Sequence, residues 1–112
     1  MKYPLGIMKK RNKDFYYTKE AMVKDLMKLI NFNKGDLVLD AGSGANKVWY
    51  NNIPKYCKRY ECEIEHGCNF YEWKDKVDWV IGNLPFHIGW DFVNKSLDIA
   101  QTGMAFLGNI NF

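Results

Sequence analysis

No stretch of this chain approaches the length of a membrane span, because lysine, aspartate or asparagine interrupts its longest apolar runs within a few residues. The N-terminus also lacks the apolar segment of a signal peptide, so an intracellular, soluble, cytoplasmic protein is expected. Cysteine is scarce. Cys57, Cys62 and Cys68 make an odd count without a CxxC pair, which argues against a disulfide framework and for reduced thiols. A zinc centre is not expected either: Cys62, His66 and Cys68 lack a fourth partner at ligand spacing. The 112 residues leave room for one domain, and an apolar share of 47% is enough to build its core.

Charge is present but uneven. Residues 1–34 carry nine lysines and arginines against three acids, and the remainder carries seven against ten. Lys9, Lys10, Arg11 and Lys13 form a cluster suited to neutralising phosphates. A solvated N-terminal arm accounts for the same cluster equally well. Residues 1–14 are therefore read as a basic arm and residues 15–112 as a single α/β domain.

Periodicity divides the domain into alternating elements. Thr18 is placed to N-cap a helix running to about Asn31, with Val23, Leu26, Met27 and Ile30 on one face. "NKGD" (33–36) ends it, and Leu37-Val38-Leu39 reads as a strand covered on both faces. That strand runs into "DAGSG" (40–44), a tight Gly-x-Gly turn before a helix over 46–53, of the form that opens backbone N–H groups to a phosphate or nucleotide. It departs from the dinucleotide GxGxxG pattern at Ala45 and Asn46, and by itself is equally an ordinary strand-to-helix turn.

A second strand, "KRYECEI" (58–64), ends in acids, and Glu63 lies 23 positions beyond Asp40. That is about where doubly wound sheets place a carboxylate for ribose hydroxyls, with Glu61 and Glu65 as the alternatives. A third strand, "VDWVIG" (77–82), leads into "NLPF". Phe92, Val93, Leu97 and Ala100 form a helical stripe, and "GMAFLGNI" (103–110) returns as a strand. Right-handed crossovers would assemble these into a Rossmann-like, mostly parallel sheet with helices on both faces.

In order and spacing, "VLDAGSG", the acidic end of the second strand and "GNLPF" resemble the motifs of class I S-adenosylmethionine-dependent methyltransferases acting on adenine N6. The resemblance spans about residues 15–110, and Asn-x-Pro-Phe is its specific part. Against the seven-stranded sheet of that family, it implies a C-terminally shortened core. Such a core is expected to join a homo- or hetero-oligomer that completes the sheet edge.

The resemblance implies S-adenosyl-L-methionine as cofactor and DNA or RNA as substrate. Asp40, Gly42 and Gly44, with Ser43 between the glycines, would line the cofactor's methionine end. Glu63 would bind its ribose, and Asn69 and Phe70 would lie beside its adenine, Asn standing where the family usually has Asp. "DFYYT" (14–18), with Tyr17 and Thr18, resembles an element that precedes the first helix and contacts the cofactor.

The exocyclic adenine amine is a poor nucleophile, because its lone pair is delocalised into the ring. Acceptors that hold its two hydrogens overcome this. The Asn83 side-chain oxygen and the Leu84 carbonyl would supply them, Pro85 would fix the chain direction and Phe86 would stack on the base. His87 is read as a helix cap, and Trp49, Trp73, Trp79 and Trp90 mostly as packing. Leu84 resembles the ribosomal RNA enzymes and "FYYT" the DNA enzymes, while related motifs methylate glutamine amides in proteins. The acceptor therefore stays open among them. The alternative is a catalytically inactive methyltransferase-like subunit that binds nucleic acid or a partner protein.

Overall fold

The computed structural model describes residues 12–42, 47–83 and 89–107. It divides into two compact units, Met1–Ile30 and Asn31–Phe112.

The first unit contributes helix α1 (Asn12–Leu29). Neither proline nor glycine lies between Asn12 and Leu29, so nothing breaks the helix at the expected start. Thr18 therefore sits inside α1 rather than capping it, and "DFYYT" is helical rather than a lead-in segment. The boundary expected after residue 14 also falls within α1. Val23 and Met27 are buried while Asp25 and Lys28 are exposed, so the apolar stripe lies on the expected face.

The second unit is a mixed α/β fold. After a turn in which the Asn33 N–H donates to Asp36 Oδ2 at 2.8 Å, strand β1 (Leu37–Ala41) runs almost wholly buried. Helix α2 (Val48–Asn51) is a single turn, shorter than the expected 46–53. The Asn52 side chain bonds back to the Val48 carbonyl at 2.7 Å, and Pro54 follows. Strand β2 (Lys58–Cys62) stops before Glu63, whose carboxylate accepts the Glu65 N–H at 3.2 Å and starts a 3-10 turn, Ile64–His66. Asn69 opens a second such turn, Phe70–Glu72, by accepting the Tyr71 N–H at 2.9 Å.

Strand β3 (Val77–Asn83), helix α3 (Gly89–Ile99) and strand β4 (Ala100–Leu107) follow. β4 begins three residues earlier than expected, continuing from α3 without a loop. The four strands form one all-parallel sheet in the order β2-β1-β3-β4. Among the described residues no helix is long and apolar enough to cross a membrane.

The core gathers Leu39, Ala41, Cys62, Phe70, Val80 and Phe92. The Phe70 and Phe92 rings lie 4.4 Å apart, centroid to centroid, and burying each side chain contributes about 1.5–3 kcal/mol. The expected α3 stripe is rotated. Phe92, Ser96 and Ile99 are buried and Leu97 is exposed, because Ser96 satisfies its hydroxyl on the Phe92 carbonyl at 2.8 Å and so tolerates burial.

The expectation of reduced thiols fails at one pair: Cys62 and Cys68 form a disulfide. The 3-10 turn and Gly67 (φ 88°) fold the intervening segment back until the two Cα atoms are 5.1 Å apart. Cys57 alone is free, and buried.

Candidate functional site

The strand order places a topological switch at β1: the chain passes from β1 to β2 on one side, then crosses to β3 on the other. Parallel α/β sheets leave a crevice at the carboxyl ends of the strands at such a point. Here the strands end in Ala41-Gly42, Cys62-Glu63 and Asn83. A cavity of about 540 Å³ opens among them, with Gly42, Glu63, Asn69 and Asn83 in its wall and Ile64, Phe70, Tyr71 and Phe92 as its apolar lining.

Asn83 is held in place from the opposite side of the switch. The indole N–H of Trp49, buried on α2, donates to Asn83 Oδ1 at 3.1 Å. An amide oxygen has two lone pairs, so among the described residues one acceptor position remains. Gly82 brings the end of β3 against β1: its φ is 145°, and a Cβ there would stand 2.8 Å from the Ala41 carbonyl oxygen and 3.3 Å from Asp40 Oδ1.

Asp40 is fully buried on β1. Its Oδ2 accepts the Tyr50 N–H at 3.0 Å, while Oδ1 has no hydrogen-bond partner among the described residues. Burial is the main cause that raises its pKa from 3.8 to about 7; the Tyr50 N–H opposes this, and Glu61 and Glu63 add to it. Because the folded pKa lies above the unfolded one, the folded state retains a proton that the unfolded state releases between those values. The carboxyl therefore costs nothing below about pH 4, and its cost grows as pH rises to about 7. Asp40→Asn retains an acceptor for Tyr50 and removes the charge. In urea titrations it is expected to raise stability at pH 8 by a few kcal/mol and to flatten the profile between pH 4 and 7.

Glu61, Glu63 and Glu65 stand in different surroundings. Glu61 pairs with Lys47 and with His66 Nδ1, the latter at 3.5 Å. Glu65 is exposed. Glu63 is the one in the cavity wall. Asn69 also lines the cavity, with its Oδ1 engaged by the Tyr71 N–H.

Comparison with protein-family models, curated proteins and solved structures finds no match to this chain.

Of the residues singled out from the sequence, Gly42, Glu63, Asn69, Phe70 and Asn83 meet at one cavity. Asp40 is buried and absent from its lining. Ser43, Gly44, Leu84, Pro85, Phe86 and His87 lie outside the described residues, as do the side chains of Tyr17 and Thr18. Four participants escaped the sequence reading: Trp49 as the partner of Asn83, Gly82 as the spacer against β1, Phe92 as a cavity wall, and the Cys62–Cys68 bridge. Gly82 precedes Asn83 directly and carried a legible signal, since glycine at the end of an apolar strand marks a close backbone approach. Trp49 and Phe92 depend on contacts distant in sequence, and the bridge on the local turn at Ile64–Gly67.

Proposed function

We propose that the chain transfers a methyl group from S-adenosyl-L-methionine to the N6 amine of adenine in DNA or RNA, on a class I methyltransferase-like core. One observation carries this reading: residues that the resemblance implies for the cofactor, Gly42, Glu63, Asn69 and Phe70, share a single cavity with Asn83, the residue it implies for the target amine.

The cavity passes a test of fit. Its volume of about 540 Å³ lies within the roughly 300–1,000 Å³ of small-ligand sites. Apolar walls at Ile64, Phe70 and Phe92 suit a planar base, and Glu63 offers a carboxylate to hydroxyl donors. When bound, S-adenosylmethionine would supply a methyl group activated by a positive sulfonium. Glu63 would then accept hydrogen bonds from the ribose hydroxyls, and Phe70 would pack against the base. The Trp49 indole fixes the Asn83 amide, whose second lone pair receives a hydrogen of the target amine. The Leu84 carbonyl, Pro85 and Phe86 keep the roles that the resemblance implies.

A second reading has its own observation. Asn83 Oδ1 already accepts the Trp49 N–H, which favours a catalytically inactive subunit if that oxygen is committed to packing. Calorimetric titration with S-adenosylmethionine, followed by incubation with labelled cofactor and separate DNA, RNA and protein acceptors, decides between them. Binding and label in nucleic acid are expected. Absence of binding would remove the enzyme reading, label in protein would move the acceptor, and binding without transfer to any acceptor would point to a missing partner or to the inactive subunit.

A further inference from the structure

We infer that the Cys62–Cys68 disulfide is a reversible thiol–disulfide exchange site, operated by a dithiol reductant, that governs the order of the cavity's acidic wall. Both cysteines line the cavity. Cys62 is buried in the core beside Leu39 and Phe70, whereas Cys68 is only partly buried and packs at the edge of that cluster. The cavity is thus the route by which an external thiol reaches the bridge, and Cys68 is the sulfur it meets.

The bridge spans the segment that carries Glu63. Cys62 ends β2, Glu63 caps the 3-10 turn, and Cys68 stands immediately before Asn69, which caps the next turn. Besides the bridge, this segment is tied back by short-range contacts: from the His66 and Cys68 N–H groups to the Glu63 carbonyl (2.9 and 3.0 Å), from the Gly67 N–H to the Ile64 carbonyl (3.1 Å), and from His66 Nδ1 to the Glu61 carboxylate (3.5 Å). Glu65, His66 and Gly67 are exposed, so water competes for those bonds. The third cysteine does not supply the attacking group. Cys57 is buried, its Sγ lies 3.8 Å from the Asn33 carbonyl, and burial with Asp36 and Asp78 nearby pushes its thiol pKa up.

The exchange balances as a two-electron step. One thiolate of the dithiol attacks Cys68 Sγ, the bond between the sulfurs breaks, and Cys62 leaves as a thiolate that takes up a proton. The second thiol of the reductant then attacks its own sulfur in the mixed disulfide, releasing the Cys68 thiol. Two cysteine thiols and one oxidised, cyclic dithiol result. The reduced chain is expected to loosen over residues 63–69 while the sheet persists.

The effect on the cofactor rests on the function proposed above; the exchange itself does not. The test treats native protein with dithiothreitol, counts alkylatable thiols, and follows hydrogen exchange of peptides covering residues 63–71 against those of β1 and β3. Two additional thiols, at least tenfold faster exchange confined to 63–71, and restoration on reoxidation are expected. A Cys62→Ser/Cys68→Ser variant should match the reduced pattern and ignore dithiothreitol; should it fail to fold, the wild-type cycle decides alone. Resistance of the bridge until the chain unfolds, or unchanged exchange after reduction, would overturn the inference. Titration of S-adenosylmethionine against both states tests the link to the cofactor separately. Affinity weakened tenfold or more on reduction supports a control of the site, equal affinity in the two states overturns that part, and binding to neither state refutes the cofactor reading while leaving the exchange result intact.

Discussion

Gly82→Val is expected to unfold most of the chain at neutral pH, and Gly82→Ala to lower its stability by at least about 3 kcal/mol. Two costs combine at this position. The backbone sits at φ 145°, where a side chain is strained, and a Cβ would stand 2.8 Å from the Ala41 carbonyl oxygen. That oxygen belongs to a central strand paired on both sides, so it has little freedom to withdraw. Against a total of about 5–15 kcal/mol for a domain, the loss is large. Gly67→Ala provides the control: φ there is 88°, but nothing lies within 4 Å of the added Cβ, so only the backbone penalty of about 1–2 kcal/mol applies. Urea midpoints of the three variants check the ordering. Equal losses at Gly67 and Gly82 for alanine would show that the β1–β3 approach relaxes.

Asn83→Ala is expected to cut methyl transfer by about a hundredfold or more, under the proposed activity, through loss of a positioned acceptor. It also leaves the buried Trp49 indole N–H without its partner, which costs about 1–3 kcal/mol of stability. The two effects are separated by chemistry. Asn83→Asp keeps an oxygen for Trp49 and should fold nearly as well as wild type, with part of the transfer retained. Trp49→Phe removes the donor, leaves Asn83 without its support, and should lower stability by about 1–2 kcal/mol and transfer by less than Asn83→Ala does. Initial rates with labelled cofactor, cofactor affinity by calorimetry and urea midpoints are the three readouts. Cofactor affinity that falls in step with the rate would reassign Asn83 from the target amine to the cofactor.

Both effects turn on the same few ångströms at the end of β3, where local pattern and long-range contact contribute unequally. The strand itself was legible, since an apolar run bounded by Gly82 has few alternatives. The partner of Asn83 was not: Trp49 is 34 residues away, and no local signal distinguishes a tryptophan that donates a hydrogen bond from one that only packs. Likewise Thr18 looked like a cap because capping chemistry is local, yet a helix can start earlier where nothing stops it, and residues 12–17 contain neither proline nor glycine.

By itself, the sequence determined the alternation of elements, the buried character of β1 and the placement of Asn83 at the end of β3. These follow from hydrophobic runs and glycine punctuation, which act over a few residues. Only the tertiary structure decided the rest. The order β2-β1-β3-β4 gathers Gly42, Glu63, Asn69 and Asn83 around one cavity, and it buries Asp40, whose carboxyl pKa desolvation raises to about 7. The fold of residues 63–67 sets Cys62 and Cys68 within bonding reach. The cavity and the buried carboxyl depend on which groups the sheet brings together and how much water it leaves around them, quantities that no single segment specifies, whereas the bridge depends on the dihedral path of one short turn.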